Sequence, residues 1–384
     1  MPYNNPMKIP RFYTNLAPLI KPNKVLVIYG SRRAGKTTLL REYLGGINGK
    51  MQYKLDSGDN IVVQETLSSR NFSKIKNYAR GYDLIAIDEA QKIPKIGEAL
   101  KIMVDEIPDI KIIATGSSSF ELSGQIGEPL TGRKRTITLY PISQIEMLEL
   151  SNAYEIKNDL DKYLIYGGYP EVIANKNPDE KKEVLEELLG SYLLKDILEL
   201  EKVKGSKILL DLLRLLAFQV GSEVSLPELG RQLGLDYKTV ARYLDLFEKS
   251  FIVYNLRGFS RNLRKEVTKK SKYYFFDNGI RNAIIANFNP LETRDDIGKL
   301  WENFLVSERI KKRSYKSIYA NAYFWRTYSG QEIDLIEERE GTLFGYEFKW
   351  SPRKPTKAPK DWVSAYPKAE YSVITKENYL EFLT

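Results

Sequence analysis

One stretch of eight residues decides the fold: Gly30-Ser31-Arg32-Arg33-Ala34-Gly35-Lys36-Thr37. It has the spacing G-x-x-x-x-G-K-T, it follows an apolar run at residues 25–29, and it leads into a segment with helical character. A strand, loop and helix of this kind bind phosphates, because the two glycines let successive backbone N–H groups point at the α- and β-phosphates. The stretch therefore predicts a binding site for a nucleoside triphosphate.

The residue types in this loop predict a role for each side chain. Lys36 would reach the β- and γ-phosphate oxygens, and the Thr37 hydroxyl would bind Mg²⁺. The candidate nucleotide-binding residues of the loop are Gly30, Arg33, Gly35, Lys36, Thr37 and Thr38.

Composition limits the functions that the chain can perform. Its 384 residues fit about two to three domains, and 42% hydrophobic with 28% charged residues is typical of a folded globular protein. The absence of cysteine and histidine excludes disulfides, zinc sites built on these residues, and nucleophile schemes that need a histidine. Any metal must therefore be bound by oxygen ligands, which favours Mg²⁺ or Mn²⁺.

Charge and hydropathy indicate the partners and the compartment. A net charge of +9 and a pI of about 9.2 suit a polyanionic partner such as nucleic acid, although the excess is modest for this length. The sequence has no apolar run of about eighteen residues, and its first residues lack a basic-then-apolar signal pattern. We therefore expect a cytoplasmic protein that does not span a membrane.

A second apolar segment, residues 83–87, ends in the carboxylates Asp88 and Glu89. A buried strand that ends in two acids about fifty residues after a phosphate loop is typical of a Walker B element. Asp88 would hold Mg²⁺ through water, and Glu89 would polarise the water that attacks the γ-phosphate.

Two further segments offer residues to the same site. Residues 110–118 predict a strand that ends in small hydroxyl side chains, so that Thr115 or Ser117 either contacts the γ-phosphate or caps a helix. A basic loop precedes residues 136–140, and Arg133 is the candidate for an arginine that stabilises transition-state charge, in cis or from a neighbouring subunit. A solvated basic turn is the alternative, and action in trans would require a homo-oligomer.

Together these motifs resemble those of an AAA+-type family of archaeal and bacterial ATPases. The resemblance rests on Gly-Ser-Arg-Arg-Ala-Gly-Lys-Thr, Ile-Asp-Glu-Ala-Gln-Lys-Ile-Pro, Ala-Thr-Gly-Ser-Ser-Ser, and Thr-Gly-Arg followed by a strand. In that family the ATPase module precedes a winged helix and a restriction-endonuclease-like domain. The resemblance implies an α/β, AAA+-like P-loop NTPase fold with a parallel sheet, and ATP rather than GTP. The lack of an Asn-Lys-x-Asp guanine motif agrees with ATP.

The middle of the chain divides into a helical segment and a second unit. Residues 142–203 carry helical patterns that suit either an AAA+ lid or ordinary core packing. From about residue 225, two short helices joined by the turn at residues 234–236 predict a helix-turn-helix. Two strands at residues 251–254 and 272–276 would form a wing.

The predicted wing and its neighbouring helix carry basic side chains. The segment around and between the predicted wing strands has a single acid, Glu266, and a larger set of basic residues: Arg257, Arg261, Arg264, Lys265, Lys269, Lys270 and Lys272. Such a wing would contact DNA phosphates independently of base sequence, although winged helices also bind proteins. The candidate nucleic-acid contacts are Lys238, Arg242, Arg261, Arg264 and Lys269.

The C-terminal part carries the pattern D-x12-E-x-K in Asp334, Glu347 and Lys349. Strand alternation places Glu347 and Lys349 on one face, where two carboxylates could bind Mg²⁺ or Mn²⁺ and the lysine could position or deprotonate water. Glu302, on a preceding helix, would complete the set of metal ligands: Glu302, Asp334 and Glu347. The arrangement resembles the PD-(D/E)xK nuclease core, in which Glu347 and Lys349 would be catalytic.

We therefore predict an AAA+-like ATPase core at residues 1–141, a helical lid at 142–203, a winged helix at 204–290 and a small α/β nuclease-like domain at 291–384. The predicted function is ATP-driven processing of DNA, in which the C-terminal carboxylate cluster would either cut a strand in a metal-dependent reaction or hold a branched or broken end. Two alternatives stay open. One is a DNA motor that does not cleave, and the other is a nucleotide-gated switch that binds a protein partner through the winged helix.

Overall fold

A computed structural model describes residues 9–116, 129–193, 206–259, 270–351 and 357–384. It divides into two units. The N-terminal unit comprises Arg11–Tyr140 with Lys249–Phe251, and the C-terminal unit contains Pro141–Glu248 and Ile252–Thr384. No helix among the described residues is both long and apolar enough to cross a membrane.

The N-terminal unit is built on a parallel sheet. Its strands are β1 (Lys24–Tyr29), β2 (Tyr53–Ser57), β3 (Leu84–Asp88), β4 (Lys111–Gly116) and β5 (Lys134–Thr138), and its helices are α1 (Lys36–Ile47), α2 (Ile61–Ser68), α3 (Phe72–Ala79) and α4 (Ile96–Glu106). Among the described residues the strands lie in the order β2-β3-β4-β1-β5, and every pair is parallel.

The apolar runs of the sequence form this sheet because both of its faces are buried. On β1, Val25 and Val27 pack into one hydrophobic cluster, while Leu26 and Ile28 pack into the cluster on the opposite face. A strand covered on both faces needs apolar side chains at successive positions, which is why β1 reads as a continuous apolar run. The carboxyl ends of β1, β3 and β4 are therefore neighbours at one edge of the sheet.

The C-terminal unit begins with a group of helices. They are α5 (Gln144–Met147), α6 (Ala153–Asn158), α7 (Leu160–Tyr166), α8 (Pro170–Ala174) and α9 (Pro178–Glu187), followed by a π-helical turn at Leu188–Leu193. The next elements are α10 (Ser206–Phe218), β6 (Glu223–Val224), α11 (Leu226–Leu233), α12 (Tyr237–Lys249), β7 (Val253–Gly258), β8 (Ser271–Phe275) and α13 (Asn278–Ile284).

The last elements complete a mixed sheet. They are α14 (Ile297–Tyr315), β9 (Asn321–Arg326), β10 (Glu332–Arg339), β11 (Thr342–Phe348), α15 (Lys360–Ala365), β12 (Glu370–Ile374) and α16 (Tyr379–Leu383). The strand order of this sheet, within the described residues, is β12-β11-β10-β9-β7-β8-β6.

This sheet crosses the predicted boundary at residue 290. Strand β7 pairs in parallel with β9 through Arg257–Tyr323 and Gly258–Phe324, so the hairpin β7–β8 continues the sheet of the last domain. The division into four segments stays a prediction. In space, the chain from Pro141 onward belongs to one unit, apart from Lys249–Phe251.

Candidate functional site

The phosphate loop lies between β1 and α1 in the N-terminal unit. The Lys36 ammonium donates hydrogen bonds to the carbonyl oxygens of Gly30 (2.9 Å) and Ser31 (2.8 Å), and the side chain is buried. Gly35 has a φ of 94°, which disfavours any residue with a Cβ, and a Cβ on Gly30 would overlap the carbonyl oxygen of Leu139. Both glycines of the pattern are therefore required by the backbone itself.

Three of the predicted nucleotide-site residues meet at the carboxyl ends of the strands. Thr37 Oγ1 donates to Asp88 Oδ2 at 2.7 Å, and Thr115 Oγ1 donates to Asp88 Oδ1 at 2.5 Å. The Glu89 N–H donates to Thr115 Oγ1 at 3.1 Å. A hydroxyl and a carboxylate in direct contact are the oxygen donors that Mg²⁺ prefers, so Thr37 and Asp88 fit the predicted ion.

Glu89 is held in an unusual backbone conformation beside this group. Its φ of 52° is left-handed, and its Oε2 accepts a hydrogen bond from Gln91 Nε2 at 2.6 Å. Gln91 is buried and lies in the turn Ala90–Lys92. The sequence analysis did not select Gln91, although a polar residue two positions after the acidic pair was a signal for it.

Arg11 is a second residue that the sequence analysis did not select. Its buried guanidinium donates to the carbonyl oxygens of Ala34 (2.9 Å) and Tyr140 (2.6 Å), and so it fastens the phosphate loop to the end of the unit. Of the other predicted loop residues, Arg33 is half-buried and Thr38 is exposed on the first turn of α1.

Arg133 lies away from the nucleotide site of its own chain. It precedes β5, its carbonyl oxygen accepts from the N–H of Val25 near the start of β1, and its Nε pairs with Asp105 at 2.6 Å. The phosphate loop follows the opposite end of β1, about 17 Å away for a strand of this length. The predicted role in cis is therefore corrected, because the side chain cannot cover that distance. Only the role in trans stays a prediction.

The predicted residues of the nuclease-like domain line one cavity of about 400 Å³ in the C-terminal unit. Its charged lining residues are Lys272, Lys299, Glu302, Glu332, Asp334, Glu347 and Lys349. We call this cavity the acidic pocket. The structure thus brings Glu302, Asp334, Glu347 and Lys349 together around one space.

Lys272, which the sequence analysis placed in the basic wing, is buried at the wall of the acidic pocket. Its ammonium pairs with Glu332 and lies 3.4 Å from Glu302 Oε1, which also accepts from the Tyr274 hydroxyl at 2.6 Å. Burial acts to lower the pKa of Lys272, but the carboxylates of Glu302, Glu332 and Asp334 outweigh it and hold the pKa above its usual value.

The two remaining carboxylates lie on neighbouring strands. Asp334 Oδ2 accepts from the Phe348 N–H at 2.7 Å, and burial together with the charges of Glu302 and Glu347 raises the pKa of Asp334 well above its usual value. Glu347 Oε1 pairs with Lys349 at 2.5 Å, while its buried Oε2 has no hydrogen-bond partner. Within the described residues, no group of three or more acidic side chains is arranged to hold a metal ion.

The predicted nucleic-acid contacts fall into two groups. Lys238 and Arg242 are exposed one turn apart on α12, whose start is capped by Asp236 through the N–H groups of Lys238 (2.9 Å) and Thr239 (3.0 Å). The rest, Arg261, Arg264 and Lys269, lie outside the described residues, as does Ser117. Ser117 belongs to the nucleotide-site prediction and is subject to the same limit.

Comparisons with known proteins match three family models to consecutive parts of the chain. Residues 22–148 match an AAA domain, residues 157–291 match a domain of unknown function (DUF8612), and residues 297–382 match another (DUF4143).

Relatives with similar sequences occur in bacteria and archaea, and they are uncharacterised. A protein of Mycobacterium tuberculosis is 25% identical over 85% of this chain and 70% of its own length. One of Haemophilus influenzae is 28% identical over 68% of this chain and 69% of its own, and one of Methanocaldococcus jannaschii is 24% identical over 82% and 72%.

Two solved structures show weaker likeness, each at 17% identity. AMPPCP-bound DnaA from Aquifex aeolicus has a TM-score of 0.31 and covers 59% of this chain and 82% of its own. Pif1 helicase from Candida albicans has a TM-score of 0.25 and covers 44% of each chain.

The AAA-domain match and the parallel five-stranded sheet confirm the predicted fold class, an AAA+-like P-loop NTPase. The chain thus carries a nucleotide-binding ATPase domain.

Proposed function

We propose that this protein hydrolyses ATP at the phosphate loop and uses the cycle to act on DNA. The observation that carries the proposal is the contact of Thr37, Asp88 and Thr115 beside the loop that holds Lys36. Lys36 would supply a cation for phosphate, and Thr37 and Asp88 would supply oxygen ligands for Mg²⁺. The neighbouring Glu89, whose N–H is bonded to Thr115, would supply the carboxylate for water.

The chain's own residues suggest how hydrolysis would proceed. Lys36 would exchange its two carbonyl partners for the β- and γ-phosphate oxygens. Thr37 and Asp88 would hold Mg²⁺, which neutralises the charge that develops on the phosphates. Glu89, oriented by Gln91 and by its bonded N–H, would polarise the attacking water.

The topology of the C-terminal unit supports a DNA-binding role. The elements α10, β6, α11, α12, β7 and β8 follow the order of a winged helix, with β6 paired to β8. Helix α12 would be the second helix of the predicted helix-turn-helix, and it exposes Lys238 and Arg242 where a recognition helix would contact DNA. Phosphate contacts of this kind make binding depend on salt and not on base sequence.

A second candidate function is metal-dependent cleavage by the C-terminal domain. The elements α14, β9, β10, β11, α15 and β12 follow the order of a nuclease-like core. The observation that favours cleavage is that Asp334, Glu347 and Lys349 line one pocket. Against it, Glu302 is already bonded to Lys272 and Tyr274, so we favour action on DNA without cleavage.

The test is steady-state ATP hydrolysis with Mg²⁺, measured without DNA and with duplex, single-stranded and branched DNA. The same DNA is resolved on a denaturing gel. We expect hydrolysis to rise with at least one DNA form while the strands stay intact. Cleavage that disappears in Asp334→Ala would establish the second candidate instead. Hydrolysis that is indifferent to every DNA would contradict the proposal and favour the protein-binding switch.

A further inference from the structure

Strand β8 brings a lysine into the acidic pocket. Lys272 and Tyr274 occupy alternate positions of β8, so both side chains leave the same face, and both contact Glu302 Oε1. The adjacent residues fix the position of α14 along β8: the Asn303 side chain accepts from the Phe275 N–H at 2.7 Å and donates to the Phe275 carbonyl at 3.1 Å. Helix α14 and strand β8 are thus locked together at the point where Glu302 meets Lys272.

Burial and several contacts hold the Lys272 side chain in this position. Its side chain is only 2% exposed, its ammonium lies between carboxylates from α14 and β10, and it stands 5.2 Å from the centre of the Phe324 ring. Gly221 packs closely against the Glu302 carboxylate, since a Cβ on Gly221 would lie 3.0 Å from Glu302 Oε2. A side chain held this closely is difficult to displace.

Three of the four carboxylates of the acidic pocket are already paired with a lysine of the same chain. Lys272 pairs with both Glu302 and Glu332, and Lys349 pairs with Glu347. A divalent ion among these carboxylates would meet the ammonium of Lys272 at close range, and expelling that ammonium would separate a buried ion pair. Lys272 and Tyr274 both already contact Glu302 Oε1, one of the two oxygens that Glu302 could offer to a metal.

We propose that Lys272 is the resident cation of the acidic pocket: its ammonium takes the place of a divalent ion among Glu302, Glu332 and Asp334, so the pocket binds neither Mg²⁺ nor Mn²⁺. The residues of the acidic pocket therefore do not fit the divalent metal ion that the sequence predicted there. This inference is independent of ATP hydrolysis and of DNA stimulation, which are measured separately, so either can fail while the other stands.

The test counts bound Mn²⁺ by electron paramagnetic resonance on the full chain, without nucleotide. Asp88→Asn is introduced first, so that ions at the phosphate loop do not contribute. We expect no bound Mn²⁺ in this background. Lys272→Met should create a site, with at least a tenfold gain in Mn²⁺ affinity, whereas Lys272→Arg, which keeps the charge, should not.

Lys272→Met leaves the half-buried carboxylates of Glu302 and Glu332 without their counter-charge, and this can prevent folding. The variant Lys272→Met/Glu332→Gln removes one of them and retains Glu302, Asp334 and Glu347 as ligands. We expect it to bind Mn²⁺, and a further Asp334→Ala change should abolish that binding.

Two results would overturn the inference. The first is Mn²⁺ bound in the Asp88→Asn background and lost on adding Asp334→Ala. The second is a folded Lys272→Met or double variant that gains no Mn²⁺. If neither Lys272 variant folds, the count in the Asp88→Asn background alone decides.

Discussion

Lys36 and Lys272 are both buried lysines, yet they are bonded to different kinds of group. Lys36 donates to the backbone carbonyl oxygens of Gly30 and Ser31, which phosphate oxygens could replace. Lys272 pairs with the carboxylates Glu302 and Glu332. A hydrogen bond from a charged group to a carbonyl contributes about 1.5–3 kcal/mol, whereas removing one partner of a buried ion pair costs about 3–5 kcal/mol. We therefore expect Lys36 to exchange its partners more readily than Lys272.

The carboxylates of the two sites differ in the same way. Asp88 accepts from the hydroxyls of Thr37 and Thr115, which are neutral donors and can share a cation with it. Glu302 accepts from an ammonium and a phenol. A site that must bind and release ligands is built from neutral partners, while a site whose charges are matched internally resists new ones.

The largest effect should come from Glu89→Gln. The amide cannot polarise water as the carboxylate does, so ATP turnover should fall by about 10²–10⁴-fold while ATP binding persists. The measurement compares steady-state turnover with equilibrium binding of a fluorescent ATP analogue. Glu65→Gln, at an exposed position on α2, is the matched control. Unchanged ATP turnover in Glu89→Gln would show that Glu89 does not polarise the attacking water.

Lys36→Ala tests the exchangeable lysine. Loss of its ammonium should lower turnover by about 10²–10³-fold, because nothing replaces the charge that faces the phosphates. The same two assays should show weakened nucleotide binding as well, unlike Glu89→Gln. Lys101→Ala, on the exposed side of α4, controls for loss of a lysine. Equal activity of the two lysine variants would contradict the role given to Lys36.

The contribution of Lys272 to the free energy of unfolding of the C-terminal unit can be measured. The chain's tryptophans, Trp301, Trp325, Trp350 and Trp362, belong to the C-terminal unit, so their fluorescence reports its unfolding. Lys272→Met should lower the free energy of unfolding measured in urea by about 3–5 kcal/mol. Lys36→Met, which alters the N-terminal unit, is the control and should change this tryptophan-detected value by less than about 0.5 kcal/mol. A change as small in Lys272→Met would contradict the stabilising role given to the ion pairs of Lys272.

Exposed cations should behave differently from both buried ones. Lys238→Ala/Arg242→Ala removes two charges from α12, so the slope of log affinity for duplex DNA against log salt should fall by roughly 2. Fluorescence anisotropy over a salt series measures it. Lys176→Ala/Lys207→Ala, at exposed positions of the same unit, removes equal charge as the control. If the control lowers the slope as much, binding reflects net charge and not this helix.

A carboxylate paired with arginines should show the smallest effect, through pH. Burial acts to raise the pKa of Asp296, but hydrogen bonds from Arg294 and Arg281 lower it to about 2. A lowered pKa contributes stability above the unfolded value of about 3.9, and this stability is lost as the pH falls towards 2. Asp296→Asn should therefore make the loss of stability between pH 4 and pH 2 shallower in urea titrations. An unchanged slope would contradict the pairing.

The sequence predicted the phosphate loop well because its information is local. Gly30 to Thr37 fix the turn, the helix start and the lysine within eight neighbouring positions, and Asp88 follows a strand whose apolar run is unmistakable. Arg11 and Gln91 were missed for a physical reason. Arg11 bonds to backbone carbonyls 23 and 129 residues away, and no side-chain pattern marks a carbonyl.

Lys272 shows the limit for the acidic pocket. In the sequence, Lys272 is the last residue of a basic run, and that run predicts a wing that would face DNA. In the structure β7 pairs with β9, strand β8 of the predicted wing lies beside α14, and Lys272 contacts Glu302 instead. That pairing joins residues 66 positions apart, so the charge pattern alone could not indicate which lysine would be buried.

The most direct test of the contrast is the number of Mn²⁺ ions bound per wild-type chain, with and without ATP, measured by electron paramagnetic resonance. The account predicts one ion per chain with ATP and none without it, because only the phosphate-loop site exchanges ligands. An ion that binds without ATP and is lost in Asp334→Ala would contradict the account.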